Sequence, residues 1–347
     1  MKVGMVMGYS GAKFKFPQAQ VEAADQLGFD SIWTSEAWGS DAVTPASWAL
    51  ARTKQVKVGT AIMQMQARTP ACAAMTAMTL DAMSDGRFVL GIGPSGPQVI
   101  EGWHGVPYGK PLLRTKEYIR IIRKILARNG PLEHVGEHYE IPYHGPNSTG
   151  LGKPLKSILH GDPKLKIYTG TITPAGVEMS AEVADGMFPV FAVPEKLDIF
   201  GPDLEKGFAK AGDGKSLKDY DILPFVPMVM GDDLEECRKP IKEHLALYIG
   251  GMGAREKNFY NDYAKRLGYQ AAARQIQDLF LTGKRNQAAS AVPDELVDAI
   301  ALVGPEPKIL SRIEEWRKAS SAGYVHSILL MHPTIEAMSL VSKAVRD

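Results

Sequence analysis

Short apolar runs separated by longer amphipathic stretches dominate the chain, and four of the runs begin in the same way. A helical pattern ends, a glycine follows, and an apolar strand starts at once. Ala23 to Leu27 lead through Gly28 into Phe29-Asp30-Ser31-Ile32-Trp33, and Met75 to Ser84 lead through Asp85-Gly86 into Arg87-Phe88-Val89-Leu90-Gly91-Ile92. Val177 to Ala184 lead through Asp185-Gly186 into Met187-Phe188-Pro189-Val190. Ile309 to Ala322 lead through Gly323 into Tyr324-Val325-His326-Ser327-Ile328-Leu329-Leu330. Glycine takes the left-handed turn at a helix end without steric cost. Continuous apolarity in the runs, in place of alternation, marks strands buried on both faces of a parallel sheet.

The same reading along the whole chain predicts eight strands, at 2–7, 31–34, 57–63, 88–93, 166–169, 186–190, 222–229 and 326–330. Helices are predicted near 17–27, 45–53, 70–84, 113–128, 174–184, 195–211, 234–248 and 305–322, several opening on proline, which is preorganised for a first helical turn. Eight βα units favour a single α/β (β/α)8 TIM barrel over an open doubly wound sheet. A last helix at 334–345 packs back over it. Two stretches exceed simple connections. Residues 130–165 include the hairpin-like segment 136–141, and residues 249–300 carry further helical pattern. Both are read as insertions, after strands 4 and 7, at the carboxyl ends where barrel enzymes place lids.

Composition narrows the classes. Hydrophobic residues make up 45% of the 347, charged residues 23%, and the formal net charge is +1. Neither nucleic acid nor a membrane surface has an electrostatic reason to bind such a chain. No apolar run reaches the length of a transmembrane helix, and the N-terminus lacks a signal-peptide core, so a cytoplasmic protein is expected. Cys72 and Cys237 have neither metal-ligand nor redox spacing and read as free thiols. The eight histidines are scattered without ligand spacing, and no metal site is expected.

Hydrolase elbows, zinc-protease helices and Walker loops are absent. Gly91-Ile92-Gly93-Pro94-Ser95-Gly96 fails the dinucleotide-binding spacing. The chemistry left on the page sits at strand ends. Strand 2 ends in Thr34-Ser35-Glu36-Ala37-Trp38, which brings a carboxylate and an indole to the barrel mouth. Strand 4 ends in Gly93-Pro94-Ser95-Gly96-Pro97, a backbone that a planar ligand can approach closely. Strand 5 leaves Gly170-Thr171-Ile172-Thr173-Pro174-Ala175-Gly176 at a helix start, whose N–H groups make a phosphate site. These devices suit a flavin-like cofactor and equally a phosphorylated substrate.

Taken in order, Leu27–Ala37, Val58–Ile62, Ser84–Gly93, Gly96–Gly105 and Ala181–Gly186 resemble the luciferase-like oxidoreductase superfamily, in its coenzyme F420 (deazaflavin) branch. The resemblance implies a cofactor ring at the mouth against strand 3, where a non-prolyl cis peptide falls at Ala61–Ile62. It implies that Glu36 lies beside the ring, and that Thr171, Ala175 and Gly176 hold the cofactor phosphate. The cofactor-binding set is thus Glu36, Ala61, Ile62, Gly93, Ser95, Gly96, Gly170, Thr171, Ala175 and Gly176. Lys110 and Arg114 are candidates for an anionic tail. Sugar-phosphate dehydrogenases of the branch carry Asp-His after strand 2 and a glutamate after strand 4. Here Glu36-Ala37 and Pro94-Ser95-Gly96-Pro97 stand at those places. A hydride transfer without a strong base, as in a reductase, therefore fits better, with Glu36, Trp38 or Ser95 positioning a small-molecule substrate. The alternatives are an FMN-dependent monooxygenase of the same superfamily and a barrel that only carries a cofactor. A homodimer is expected by resemblance.

Overall fold

A computed structural model describes residues 1–8 and 10–346. Eight strands run parallel: β1 (Lys2–Val6), β2 (Ser31–Thr34), β3 (Lys57–Thr60), β4 (Phe88–Gly93), β5 (Ile167–Gly170), β6 (Gly186–Phe188), β7 (Phe225–Met230) and β8 (Ser327–Met331). The sheet curls in the order β6-β5-β4-β3-β2-β1-β8-β7. Its two ends meet on one segment. Asp221–Ile222 pairs with β6, Val190 bridges Phe225, and β7 pairs with β8. The chain is thus an α/β fold with a curled parallel sheet of the TIM-barrel kind. Eight helices alternate with the strands: α1 (Gln18–Gln26), α2 (Val43–Arg52), α3 (Pro70–Met83), α4 (Pro111–Ala127), α5 (Pro174–Val183), α6 (Gly201–Ala211), α7 (Glu306–Ser321) and α8 (Ile335–Ala344). Thr69, Thr173 and Thr334 cap α3, α5 and α8 by accepting from the backbone N–H three residues on, a contribution of about 1 kcal/mol each.

Three expected strands and one helix differ in detail. The stretch 57–63 stops at Thr60 and resumes as Met63–Gln64, with the cis peptide Ala61–Ile62 between them. The stretch 222–229 is divided at Leu223-Pro224, and a short strand Leu302–Gly304, invisible to the apolar pattern, pairs with Met228–Met230. Strand 186–190 ends at Phe188 in regular pairing. The helix expected over 195–211 begins as a kinked turn, Pro194–Phe200, before α6. Gly28, Gly86 and Gly323 have positive φ as the junction pattern requires. Gly186 does not. It is needed because a Cβ there would lie 2.3 Å from the Asp221 carbonyl oxygen.

Large rings fill the space inside the curl, and glycines make room for them. Trp33, Tyr168 and Phe188 contact one another at centroid distances of 4.9–5.9 Å. A Cβ on Gly59 would stand 2.3 Å from the Trp33 ring, and one on Gly91 would stand 2.7 Å from Phe188. Outward positions such as Ile32, Val58, Leu90, Ile167, Met187 and Ile328 are all buried beneath the helices. Each contributes about 1.5–3 kcal/mol of apolar burial.

Neither long stretch leaves a strand end directly, which corrects that expectation, since each follows a helix. Residues 130–165 follow the end of α4. Their hairpin, His134–Val135 with Glu140–Ile141, turns back along α4, where Glu117 accepts from the backbone N–H groups of Glu137, His138 and Tyr139 at 3.0–3.2 Å. Residues 249–300 follow the helix Leu234–Ala246 beyond β7 and fold as helices Phe259–Arg266, Gln270–Leu281, Arg285–Ser290 and Asp294–Ile300. Arg238 ties this group together through Asp294 at 2.8 Å and Asp298 at 2.6 Å. Among the described residues, no helix is long and apolar enough to cross a membrane.

Candidate active site

The carboxyl ends of β2, β3 and β4 converge on one polar network. Glu36, 8% exposed, lies just past β2. One of its oxygens accepts from the Gln64 N–H at 2.6 Å and from Arg68 Nη1 at 2.7 Å. The other accepts from the Ala42 N–H at 2.8 Å and from Arg68 Nη2 at 3.1 Å. Burial works against the Arg68 charge, but hydrogen bonds and attraction from Glu36 outweigh it and hold the guanidinium above its usual range. Both oxygens of Glu36 are thus engaged, and the group braces the loops after β2 and β3.

Gln64 carries the network onward. Its Nε2 donates to the Ala37 carbonyl at 3.1 Å and to Ser95 Oγ at 3.2 Å, while Oε1 contacts His104 Nε2 at 2.6 Å. Ser95 sits in left-handed backbone (φ 55°), and its carbonyl accepts from Tyr108 Oη at 3.1 Å. Burial pushes the Tyr108 hydroxyl upward, so it stays a neutral donor. Ser95 is thus held at the rim from two sides, its hydroxyl by Gln64 Nε2 and its carbonyl by Tyr108 Oη. Trp38, by contrast, is 61% exposed.

Next to this network the mouth has a floor. Ser35 Oγ donates to the Ala61 carbonyl at 2.9 Å, and the cis bond follows. The Ile62 side chain lies toward the ends of β4 and β5. A Cβ added to Gly93 would lie 3.0 Å from Ile62 Cδ1, and one on Gly170 would lie 3.2 Å from its Cγ2. Past Gly170, the hydroxyls of Thr171 and Thr173 crowd Gly176, where a Cβ would come within 2.1 and 2.7 Å of them. The Gly176 N–H donates to Thr173 Oγ1 at 3.1 Å, and Ala175 is exposed at the start of α5. Gly96 opens the short helix Pro97–Ile100 beside Ser95. A cleft of about 160 Å³ adjoins the mouth at Met7, Gly8, Thr34 and Ser35.

Other sequence candidates lie apart. Lys110 pairs with Glu137 at 2.9 Å, and Arg114 stands beside Gly109 and His138 on the flank of α4. A larger cleft of about 570 Å³ lies behind α6, where Lys215 is committed to the Ala181 and Ala184 carbonyls. The sequence alone assigns no catalytic role to Gln64, His104 or Arg68. It misses the opposite rim altogether. There Phe191 after β6, His244 and Tyr248 after β7, Tyr260, and His332 after β8 come together. A glutamine two residues past a cis bond was the one signal that could have flagged the first network. Among the described residues, no group of three His, Cys, Asp or Glu could hold a metal ion.

The fold and the rim define an α/β protein with a curled parallel sheet and a polar site at its carboxyl end, and comparisons place it more closely. The model of the luciferase-like monooxygenase family matches residues 2–322, and the chain belongs to that family. It is 43% identical over 321 residues, covering 92% of each chain, to a Mycobacterium tuberculosis protein described as a coenzyme F420-dependent oxidoreductase. It is 27% identical over 302 residues, 86% of this chain and 85% of the relative, to 5,10-methylenetetrahydromethanopterin reductase of Archaeoglobus fulgidus. In structure it is similar to the coenzyme F420-dependent tetrahydromethanopterin reductase of Methanopyrus kandleri, with a TM-score of 0.79 at 19% identity. That match covers 99% of this chain and 97% of the other.

Proposed function

We propose that the protein is a coenzyme F420-dependent oxidoreductase acting as a reductase on a small organic molecule with a polarised C=C, C=N or C=O bond. The observation that carries the reading is the floor of the mouth. Ile62, on the cis bond, lies against two glycines that leave a flat face, and a threonine-rich helix start follows. Ala61, Ile62, Gly93 and Gly170 would seat the ring. Thr171, Ala175 and Gly176 would hold a phosphate, and Ser95 and Gly96 would close one edge. When bound, the deazaflavin supplies a hydride donor or acceptor carbon. The chain's own residues place the acceptor and keep the rim rigid. Glu36 acts as a brace in this reading, since Arg68 and two backbone N–H groups hold both its oxygens. The absence of a free carboxylate base at that position supports reduction over alcohol oxidation. Ser95 and Trp38 would contact substrate. The outward faces of α2 and α3, with Trp48, Met75 and Met83 exposed, would form a homodimer contact in the cytoplasm.

Fluorescence titration with F420 and with FMN tests the cofactor. Micromolar or tighter F420 binding, weakened at least tenfold by Gly176→Val, is the expected result. Tight FMN binding with oxygen consumption, and no affinity for F420, would replace the reading with a monooxygenase.

A further inference from the structure

The rim opposite Glu36 carries two histidines that the cofactor reading does not use. His244 is half-buried on the helix Leu234–Ala246, and His332 is exposed just past β8. The His244 ring lies 5.7 Å from Phe191 and 4.6 Å from Tyr248, and Phe191 packs edge-on to Tyr248 and Tyr260 at 5.5 and 6.0 Å. His332 reaches across to β1, where a Cβ on Gly8 would stand 2.5 Å from its Cε1. Gly8 itself lines the cleft that borders Ser35, which sets His332 beside that cleft.

What faces these rings is as informative as where they sit. His134 has Glu117 at 3.5 Å and His326 has Asp221 at 3.0 Å. Neither His244 nor His332 takes part in any ion pair among the described residues. Burial, with repulsion from a charged His332 added to it, pushes His244 down to about 4, so its ring is neutral near pH 7. A neutral imidazole offers one N–H donor and one acceptor nitrogen. An aromatic wall with such donors, and no fixed charge against them, disfavours an ionised group, which would lose its hydration without a counter-ion. Lys13 and Lys15 line the adjoining cleft but stand in solvent.

We propose that the His244–His332 recess is the substrate-recognition half of the site. It takes an uncharged, largely apolar molecule through one oxygen atom that accepts a hydrogen bond from an imidazole N–H. Phe191, buried behind the half-buried rings of Tyr248 and Tyr260, backs the wall against the apolar body. The inference rests on the reductase reading and deepens it, because it names the substrate class as neutral carbonyl compounds. It concerns recognition only, so His244 and His332 position the acceptor while hydride donation stays with the cofactor.

Binding of cyclohexanone and of cyclohexanecarboxylate to the full chain, by ligand-observed NMR with and without oxidised F420, tests it. Each variant is also titrated with F420 by fluorescence. His332→Ala and His244→Ala should each weaken cyclohexanone about tenfold, the effect of one lost hydrogen bond, and leave F420 affinity within about twofold. His244→Gln, which keeps a donor, should recover part of the loss. Gly8→Ala, which displaces His332, should mimic His332→Ala. The carboxylate should bind at least tenfold more weakly than the ketone. Unchanged ketone affinity in both alanine variants, equal affinity for the carboxylate, or no ketone binding by the wild-type chain overturns the proposal. Loss of F420 binding by the wild type overturns the cofactor reading instead, and the cofactor-free ketone titration still decides this one.

Discussion

Glu36 and Arg68 illustrate how a conspicuous charge can serve geometry. The Arg68 side chain is 19% exposed and that of Glu36 6%, and they meet through two parallel hydrogen bonds. Removing one member of such a pair strands the other, typically at about 3–5 kcal/mol. Two backbone N–H groups would remain on Glu36, so Arg68→Ala should cost about 2–3 kcal/mol in urea unfolding and should weaken F420 binding as the mouth loosens. His244 makes a second residue-scale prediction. Its folded pKa of about 4 lies below the ordinary 6.5, because burial penalises the charged ring. The unfolded chain therefore binds a proton more readily in that window, and stability rises with pH there. The contribution is complete above pH 6.5 and is lost as pH falls through about 4. His244→Phe should flatten that part of the acid limb in a stability-versus-pH series.

Elements are placed by what glycines permit. A Cβ on Gly91 would lie 1.8 Å from the Thr60 carbonyl oxygen, between two hydrogen-bonded strands that cannot separate without breaking the sheet. Gly91→Ala should abolish folding or cost more than about 3 kcal/mol by thermal denaturation. Gly86 has open space around it but a φ of 81°. Gly86→Ala should cost only about 1 kcal/mol in the same assay, the penalty of the left-handed backbone alone. The apolar runs were enough to locate β1, β2, β4, β5 and β8 in the sequence. Leu302–Gly304 escaped because three residues carry no readable period, and its existence depends on the half of β7 it pairs with.

At the scale of the whole molecule, the helical group after β7 is held by charge as well as by packing. Arg238 is 11% exposed on its side chain and contacts Glu235, Asp294 and Asp298, while Lys308 shares Asp298 at 2.7 Å. Arg238→Ala should leave those carboxylates under-compensated and loosen the group before the strands. Limited proteolysis within residues 282–293 should accelerate roughly tenfold, an opening cost lowered by about 1.4 kcal/mol. Equal proteolysis rates in variant and parent would show that packing alone holds these helices.

The sequence by itself determined the alternation of helix and strand, because burial on both faces writes continuous apolar runs and helix ends need glycine. It also set Glu36, Gly93, Ser95, Gly170 and Gly176 at strand ends or in the segments that follow them. What each group does there was decided only by tertiary structure. Arg68 reaches Glu36 across 32 residues, Gln64 meets His104 across 40, and His332 comes beside Gly8 from the far end of the chain. Such pairings arise from the curl of the sheet, which brings distant strand ends together, and local periodicity carries no record of them.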